Sequence, residues 1–199
     1  MNAQLADMFE LLIKSIQEKV PSSEEDLHLC KTYFTPKKLR RKQFLLQEGD
    51  VCNRMAFVEK GALYSYSTDA KGGQRVMQFA FEGFWISDLY SFFTREESKL
   101  NIEALEDCEL LLLDHEQHEN LLKNVRQYET YIRMLYQNAY VALQQRLEGT
   151  IGLTAEEKYS RLVDQYSTIV NRVPQHLIAS YLGITPETLS RIRKQMASR

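Results

Sequence analysis

The sequence predicts an α+β fold: an antiparallel β-roll or jelly roll, then a long helix, then a C-terminal helix-turn-helix. Three observations support this prediction. Residues from about 43 to 113 form short alternating segments, residues 115–149 show helical periodicity without proline, and residues 173–193 contain two short helical patterns around a glycine. No long helical segments separate the short ones, which argues against a doubly wound parallel sheet.

The N-terminal region, from about residue 4 to residue 34, is predicted to be helical. Met8, Leu12 and Ile16 recur at helical spacing, and Pro21 ends this first helix. The order Ser22-Ser23-Glu24-Glu25 matches a capping box, which predicts that a second, short helix begins there.

Turn signals divide the strand region into its predicted strands. Gly49-Asp50, Gly61 and Glu82-Gly83 each end an apolar segment, and Asp69-Ala-Lys-Gly-Gly73 predicts a hairpin turn between two alternating segments. Short strands at this spacing are typical of a β-sandwich, jelly roll or barrel. A basic run at 37–42, just before the first predicted strand, is interpreted as a solvated turn.

The region 115–149 predicts one helix of about 30 residues, roughly 45 Å long. That length exceeds what the strand region can cover, so its apolar stripe is predicted to pair with a second copy of the chain. Packing of the helix back onto its own domain is the alternative. The predicted dimer-helix residues are Ile132, Leu135, Ala139, Leu143 and Leu147.

Residues 173–193 have the local chemistry of a helix-turn-helix. Gly183 can adopt the left-handed conformation that ends a helix, Thr185 is a good N-cap, and Pro186 fits the first helical position. The outer face of the second helix then mixes side chains that read base edges with side chains that bind phosphates. An αα-hairpin with a basic outer face is the alternative. The predicted DNA-binding residues are Thr185, Glu187, Thr188, Ser190, Arg191 and Lys194.

The charge distribution agrees with an anionic partner at this end of the chain. The net charge is −2, from 25 Lys and Arg against 27 Asp and Glu, yet residues 171–199 carry five basic residues and a single acid, Glu187. A basic end on an acidic body favours nucleic acid as the partner. A solvated basic tail is the alternative.

The order of these parts resembles the Crp/Fnr (catabolite-activator-like) family of bacterial transcription regulators, in a Bacteroidetes-like subgroup. The resemblance is carried most strongly by Ile178-Ala-Ser-Tyr-Leu-Gly-Ile-Thr-Pro-Glu-Thr-Leu-Ser-Arg-Ile-Arg193, and also by Gly49, Gly61 and Gly83-Phe-Trp-Ile. It implies a homodimeric, sequence-specific DNA-binding transcription regulator whose Glu187 and Arg191 read the major groove. It also implies three domains: N-terminal helices plus a cyclic-nucleotide-binding-type β-roll effector domain at 1–113, a dimerisation helix at 114–149 and a DNA-binding domain at 150–199.

Three departures from the family pattern bear on the effector. Ser87-Asp88 stands where the family has Gly-Glu, Ser98-Lys99 stands where an Arg followed by Ser or Thr pairs with a cyclic phosphate, and no C-terminal wing follows the second helix. Lysine lacks the planar fork of arginine, so control by ordinary cAMP is not expected. The effector-pocket candidates are Ser87, Asp88, Ser98, Lys99 and Gln144.

Other function classes lack their sequence signals. The chain has no Gly-rich phosphate loop, G-x-S-x-G or H-E-x-x-H, so no enzyme activity is expected. Its three scattered cysteines predict neither disulfides nor an iron–sulfur centre, which indicates a cytoplasmic protein without metal or cofactor. His115 and His118 are interpreted as an exposed polar helix end, and no apolar run approaches the ~20 residues of a membrane span.

The expected partners are double-stranded DNA and a second copy of the chain. An unidentified small-molecule effector and RNA polymerase are left open. Two rival hypotheses remain: a β-roll signalling or interaction module that no longer binds DNA specifically, and a constitutive DNA binder with a vestigial pocket.

Overall fold

The computed structural model describes residues 8–166 and 168–197, without the side chains of residues 150, 151 and 197. The predicted start of the first helix, residues 4–7, lies outside the described residues. Within the described part, the chain forms two compact units. The first contains residues up to Ser67 together with Gln78–Gln137, and the second contains Thr68–Met77 together with the residues from Asn138 onward. The predicted domain boundaries stay a prediction.

Two short helices, α1 (Glu10–Gln17) and α2 (Glu24–Lys31), begin the described part of the first unit. The capping box of α2 uses Ser23 and Asp26, so the prediction of Ser22 and Glu25 was wrong by one residue. The reason is local: the Ser22 hydroxyl donates to the Val20 carbonyl and closes the turn that follows α1, which leaves Ser23 to cap α2.

The strands form two four-stranded sheets, in the orders β1-β8-β3-β6 and β2-β7-β4-β5. Their registers are antiparallel, as predicted, and both sheets contribute side chains to one hydrophobic core together with α1 and α2. The strands, with one helical turn between them, are β1 (Thr35–Leu39), β2 (Phe44–Leu46), β3 (Arg54–Lys60), β4 (Leu63–Thr68), β5 (Gln74–Ala80), β6 (Trp85–Ile86), α3 (Leu89–Thr94), β7 (Asn101–Ala104) and β8 (Cys108–Asp114).

The basic run at 37–42 was only partly a turn. Lys37 and Lys38 lie in β1, paired with Leu110 and Glu109 of β8, and only the residues that follow form the turn. The cross-strand ion pair from Lys38 to Glu109, 3.1 Å long, shows why a lysine-rich segment is compatible with an edge strand here.

Gly61, in the turn between β3 and β4, permits the close approach of this turn to the start of β8. Its φ is +98°, and an added Cβ would lie 2.6 Å from the Asp107 carbonyl oxygen. A side chain there would strain the backbone and displace β8.

The predicted continuous helix over 115–149 is two helices, α4 (His115–Asn124) and α5 (Arg126–Gly152). Val125 between them is extended, with φ −128° and ψ 94°, and it is buried. His118 is also buried, contrary to the expected exposed helix end, and its Nδ1 lies 2.8 Å from the Tyr128 hydroxyl. A straight helix could not bring these two side chains together, so their burial explains the break.

Four helices complete the second unit: α6 (Ala155–Gln165), α7 (Ile169–Arg172), α8 (Gln175–Leu182) and α9 (Pro186–Ala197). Thr154 and Glu157 form a complete capping box at the start of α6. Within the described residues, no helix has both the length and the apolar character needed to cross a membrane.

Candidate nucleic-acid interface and effector region

The predicted helix-turn-helix is formed by α8 and α9. Gly183 ends α8 in the left-handed conformation, with φ +69° and ψ 33°, as its sequence position predicts. The Thr185 hydroxyl accepts a hydrogen bond from the Thr188 backbone N–H at 3.2 Å, which caps the start of α9. Pro186 then occupies the first helical position.

The inner face of α9 is apolar and packs against α8. Leu189 and Ile192 are buried, as are Leu177 and Ile178 of α8. These two faces hold the helix pair together and fix which residues of α9 point outward. The rotation of α9 about its axis is therefore set by the apolar spacing of its own sequence.

The outer face of α9 carries four of the six predicted DNA-binding residues on one continuous surface. The residues of this surface are Pro186, Glu187, Ser190, Arg191 and Lys194. Thr185 is exposed at the start of the helix, and Thr188 is half-buried beside it. The structure thus brings the predicted residues together on one end and one face of α9.

The side-chain charge on this face changes from negative at the start of α9 to positive further along the helix. Glu187 lies in the first turn, where a hydrogen bond from its own backbone N–H, and then one from the Thr185 hydroxyl, lower the pKa of its carboxyl. Its carboxylate is therefore ionised and can accept a hydrogen bond from a base amino group. Arg191 and Lys194 lie further along, where a guanidinium fork and an ammonium group can reach a guanine edge and a phosphate.

In the first unit, two of the effector-pocket candidates, Asp88 and Ser98, are hydrogen-bonded to each other. The buried Asp88 carboxylate accepts hydrogen bonds from the backbone N–H groups of Tyr90 at 3.1 Å and Ser91 at 3.4 Å, which caps α3. The hydroxyl of Ser98, also buried, donates to the same carboxylate at 2.7 Å. These three donors thus bind the protein's own carboxylate.

The remaining pocket candidates take no part in the hydrogen bonds described for this pair. The Ser87 hydroxyl donates to the Arg54 carbonyl oxygen at 3.3 Å, and Lys99 is exposed. Gln144 belongs to the second unit, where its amide donates to the Tyr140 hydroxyl at 3.2 Å. The search of the described residues for three or more His, Cys, Asp or Glu side chains that could hold a metal ion found none.

The predicted dimer-helix residues divide into a buried and an exposed group. Ile132 is buried in the core of the first unit, and Leu135 packs against that core. Ala139, Leu143 and Leu147 are exposed. Two further large side chains, Tyr140 and Val141, are also exposed on this helix.

Comparisons with known proteins agree with this description of the fold. The family model "Cyclic nucleotide-binding domain" matches residues 36–125. A search of curated proteins found no match. Among solved structures, the catabolite activator protein of Thermus thermophilus is 20% identical, with 89% of this chain and 85% of that chain covered and a TM-score of 0.57.

Two further structures show the same architecture. CLP of Xanthomonas campestris, described as a c-di-GMP-responsive global regulator, is 12% identical over 88% of this chain and 92% of that chain, with a TM-score of 0.70. A protein of Eubacterium rectale assigned to the Crp/Fnr family of transcriptional regulators is 15% identical over 89% and 84%, with a TM-score of 0.63. Residues 36–125 thus match the cyclic nucleotide-binding domain, and the chain has the fold of Crp/Fnr-type regulators.

Proposed function

We propose that this chain is a homodimeric, sequence-specific DNA-binding transcription regulator of the Crp/Fnr type. The observation that carries the proposal is the outer face of α9, where Glu187, Ser190, Arg191 and Lys194 lie together, opposite the buried Leu189 and Ile192. Such a helix enters the major groove with its first turns against base edges.

The roles of these residues follow from their chemistry. Arg191 matches the two acceptors of a guanine edge, and the ionised Glu187 matches the amino group of cytosine. Thr185 and Lys194 suit phosphate contacts, which position the helix without reading sequence. A face made only for phosphates would not place a carboxylate among its cations, so Glu187 favours sequence-specific binding.

The second copy of the chain is proposed to pack along the exposed part of α5. Tyr140, Val141, Leu143 and Leu147 are 50–61% exposed there, an unusual density of apolar side chains for a solvated helix. A two-fold dimer would bury these side chains on both protomers. It would also present two copies of α9 to half-sites one DNA turn, about 34 Å, apart.

Ordinary cAMP is proposed not to control this protein. The Ser98 hydroxyl and the N–H groups at the start of α3 are bound to the Asp88 carboxylate. A cyclic phosphate would have to displace that carboxylate or lie beside it. Two adjacent anions repel each other, which disfavours the second arrangement. Lys99, exposed nearby, supplies no guanidinium fork to offset the repulsion.

Selection from random duplex DNA by the purified full-length chain, at two salt concentrations, tests the proposal. An enriched inverted repeat with half-sites one turn apart is expected. Salt-sensitive binding without an enriched site would leave only the phosphate contribution. That result would overturn the proposal in favour of the rival interaction module.

A further inference from the structure

Within the second unit, the outer edge of the β4–β5 hairpin is bound by a side chain of the helix-turn-helix. Among the described residues β5 is the last strand of its sheet, so no further strand of that part of the chain pairs with its outer edge. The Ser180 hydroxyl of α8 donates to the Gln74 carbonyl oxygen at 2.6 Å and accepts from the Val76 N–H at 3.0 Å. One hydroxyl thus replaces both a donor and an acceptor of a missing strand.

Arg146 of α5 binds the same strand. Its guanidinium donates to the carbonyl oxygens of Val76, at 3.2 Å, and Met77. It also lies over the ring of Tyr181, 4.3 Å from the ring centroid, where a cation is attracted to the aromatic face. We call this set of contacts, made by Ser180 and Arg146 to β5, the hairpin clamp.

The hairpin clamp acts on α8 close to its C-terminal end. Ser180 and Tyr181 directly precede Leu182, the last residue of α8, and Gly183, which begins the turn into α9. Because α8 and α9 share buried apolar side chains, contacts that fix the rotation of α8 also fix the direction of α9. The grouping of Thr68–Met77 with the helices of the second unit is consistent with this attachment.

We propose that Ser180 and Arg146 are positioning residues that hold the helix-turn-helix on the hairpin in the orientation required for two half-sites to be bound at once. The proposal rests on the proposed DNA-binding function. Neither residue contacts the bases; both act through α9.

Two variants of Ser180 separate the contribution of its hydroxyl from the effect of side-chain size. Ser180→Thr keeps it, whereas Ser180→Val replaces it with a methyl group of the same size and the same β-branching. Affinity is measured for the selected inverted repeat and for the same repeat with one base pair added or removed between the half-sites. Circular dichroism and the melting temperature of each variant are recorded alongside.

The clamp predicts a specific pattern. Loss of two hydrogen bonds lowers the fraction of correctly oriented molecules, so Ser180→Val should bind the repeat about 10-fold more weakly than Ser180→Thr. Its preference for the correct spacing should also shrink, while its secondary structure stays that of Ser180→Thr. Arg146→Lys, which keeps the charge but loses the fork, should shift affinity and spacing preference in the same direction. Equal affinity and equal spacing preference in the Thr and Val variants would overturn the proposal.

An independent readout separates this proposal from the function on which it rests. Hydrogen exchange at the Val76 amide should be slow in Ser180→Thr and faster in Ser180→Val, whether or not DNA is bound. Equal exchange rates would overturn the clamp itself. If the wild-type chain selects no DNA site while the two Ser180 variants still differ in exchange at the Val76 amide, the DNA-binding function and the positioning role are refuted, but the contact itself is not.

Discussion

The exposed apolar face of α5 gives the sharpest quantitative prediction. Leu143 and Leu147 lie one helical turn apart and are 54% and 60% exposed. Burying a whole leucine side chain contributes about 1.5–3 kcal/mol, so covering this exposed half contributes roughly 1 kcal/mol for each residue. Leu143→Glu removes that contribution and places a carboxylate in the interface, which adds about 1–3 kcal/mol per protomer.

Two-fold symmetry doubles the effect of the substitution. The total is roughly 4–8 kcal/mol, which raises the dissociation constant of the dimer about a thousand-fold or more. The matched control is Gln145→Glu, which adds the same charge on another face of the same helix, where Gln145 is exposed. Sedimentation equilibrium measures both variants. An intact Leu143→Glu dimer at micromolar concentration would refute this interface.

Three further predictions concern the remaining features. Arg191→Ala should reduce discrimination by about 1–3 kcal/mol at one base position in a selection experiment, whereas Arg133→Ala, exposed on α5, should leave the profile unchanged. Millimolar cAMP should not raise the melting temperature of the wild-type chain, because Asp88 occupies the donors around α3; a rise of several degrees would contradict this. Burial lowers the pKa of His118, so the unfolded chain binds more protons below the ordinary histidine pKa, and stability should fall as the pH drops through and below about 6.5. His118→Gln should weaken the dependence of the unfolding free energy on pH below about 6.5, as measured by chemical denaturation. An unchanged pH dependence would argue against a buried neutral histidine.

Features set by neighbouring residues could be predicted from the sequence. The turn between α8 and α9 needs a left-handed residue, an N-cap and a first helical residue, and Gly183, Thr185 and Pro186 meet these needs in order. The capping box of α6 follows equally from Thr154 and Glu157. Each of these interactions spans at most four residues, so its geometry is contained in the local sequence.

Features that depend on competition between partners, or on distant partners, could not be predicted in this way. The Ser22 capping assignment was wrong because a competing backbone acceptor took that hydroxyl. The break at Val125 depends on which side chains of α4 and α5 are buried together, and helical periodicity does not record that choice.

The two candidate sites show the same division between local and distant information. Apolar spacing alone determined which side chains of α9 face outward, so the predicted DNA-binding residues lie together. Only the folded chain brings the Ser98 hydroxyl to Asp88 and the Ser180 hydroxyl to β5, across 10 and 106 residues of sequence. A hydroxyl can bind almost any polar group, so its sequence position does not specify its partner; the packing of the strands and helices does.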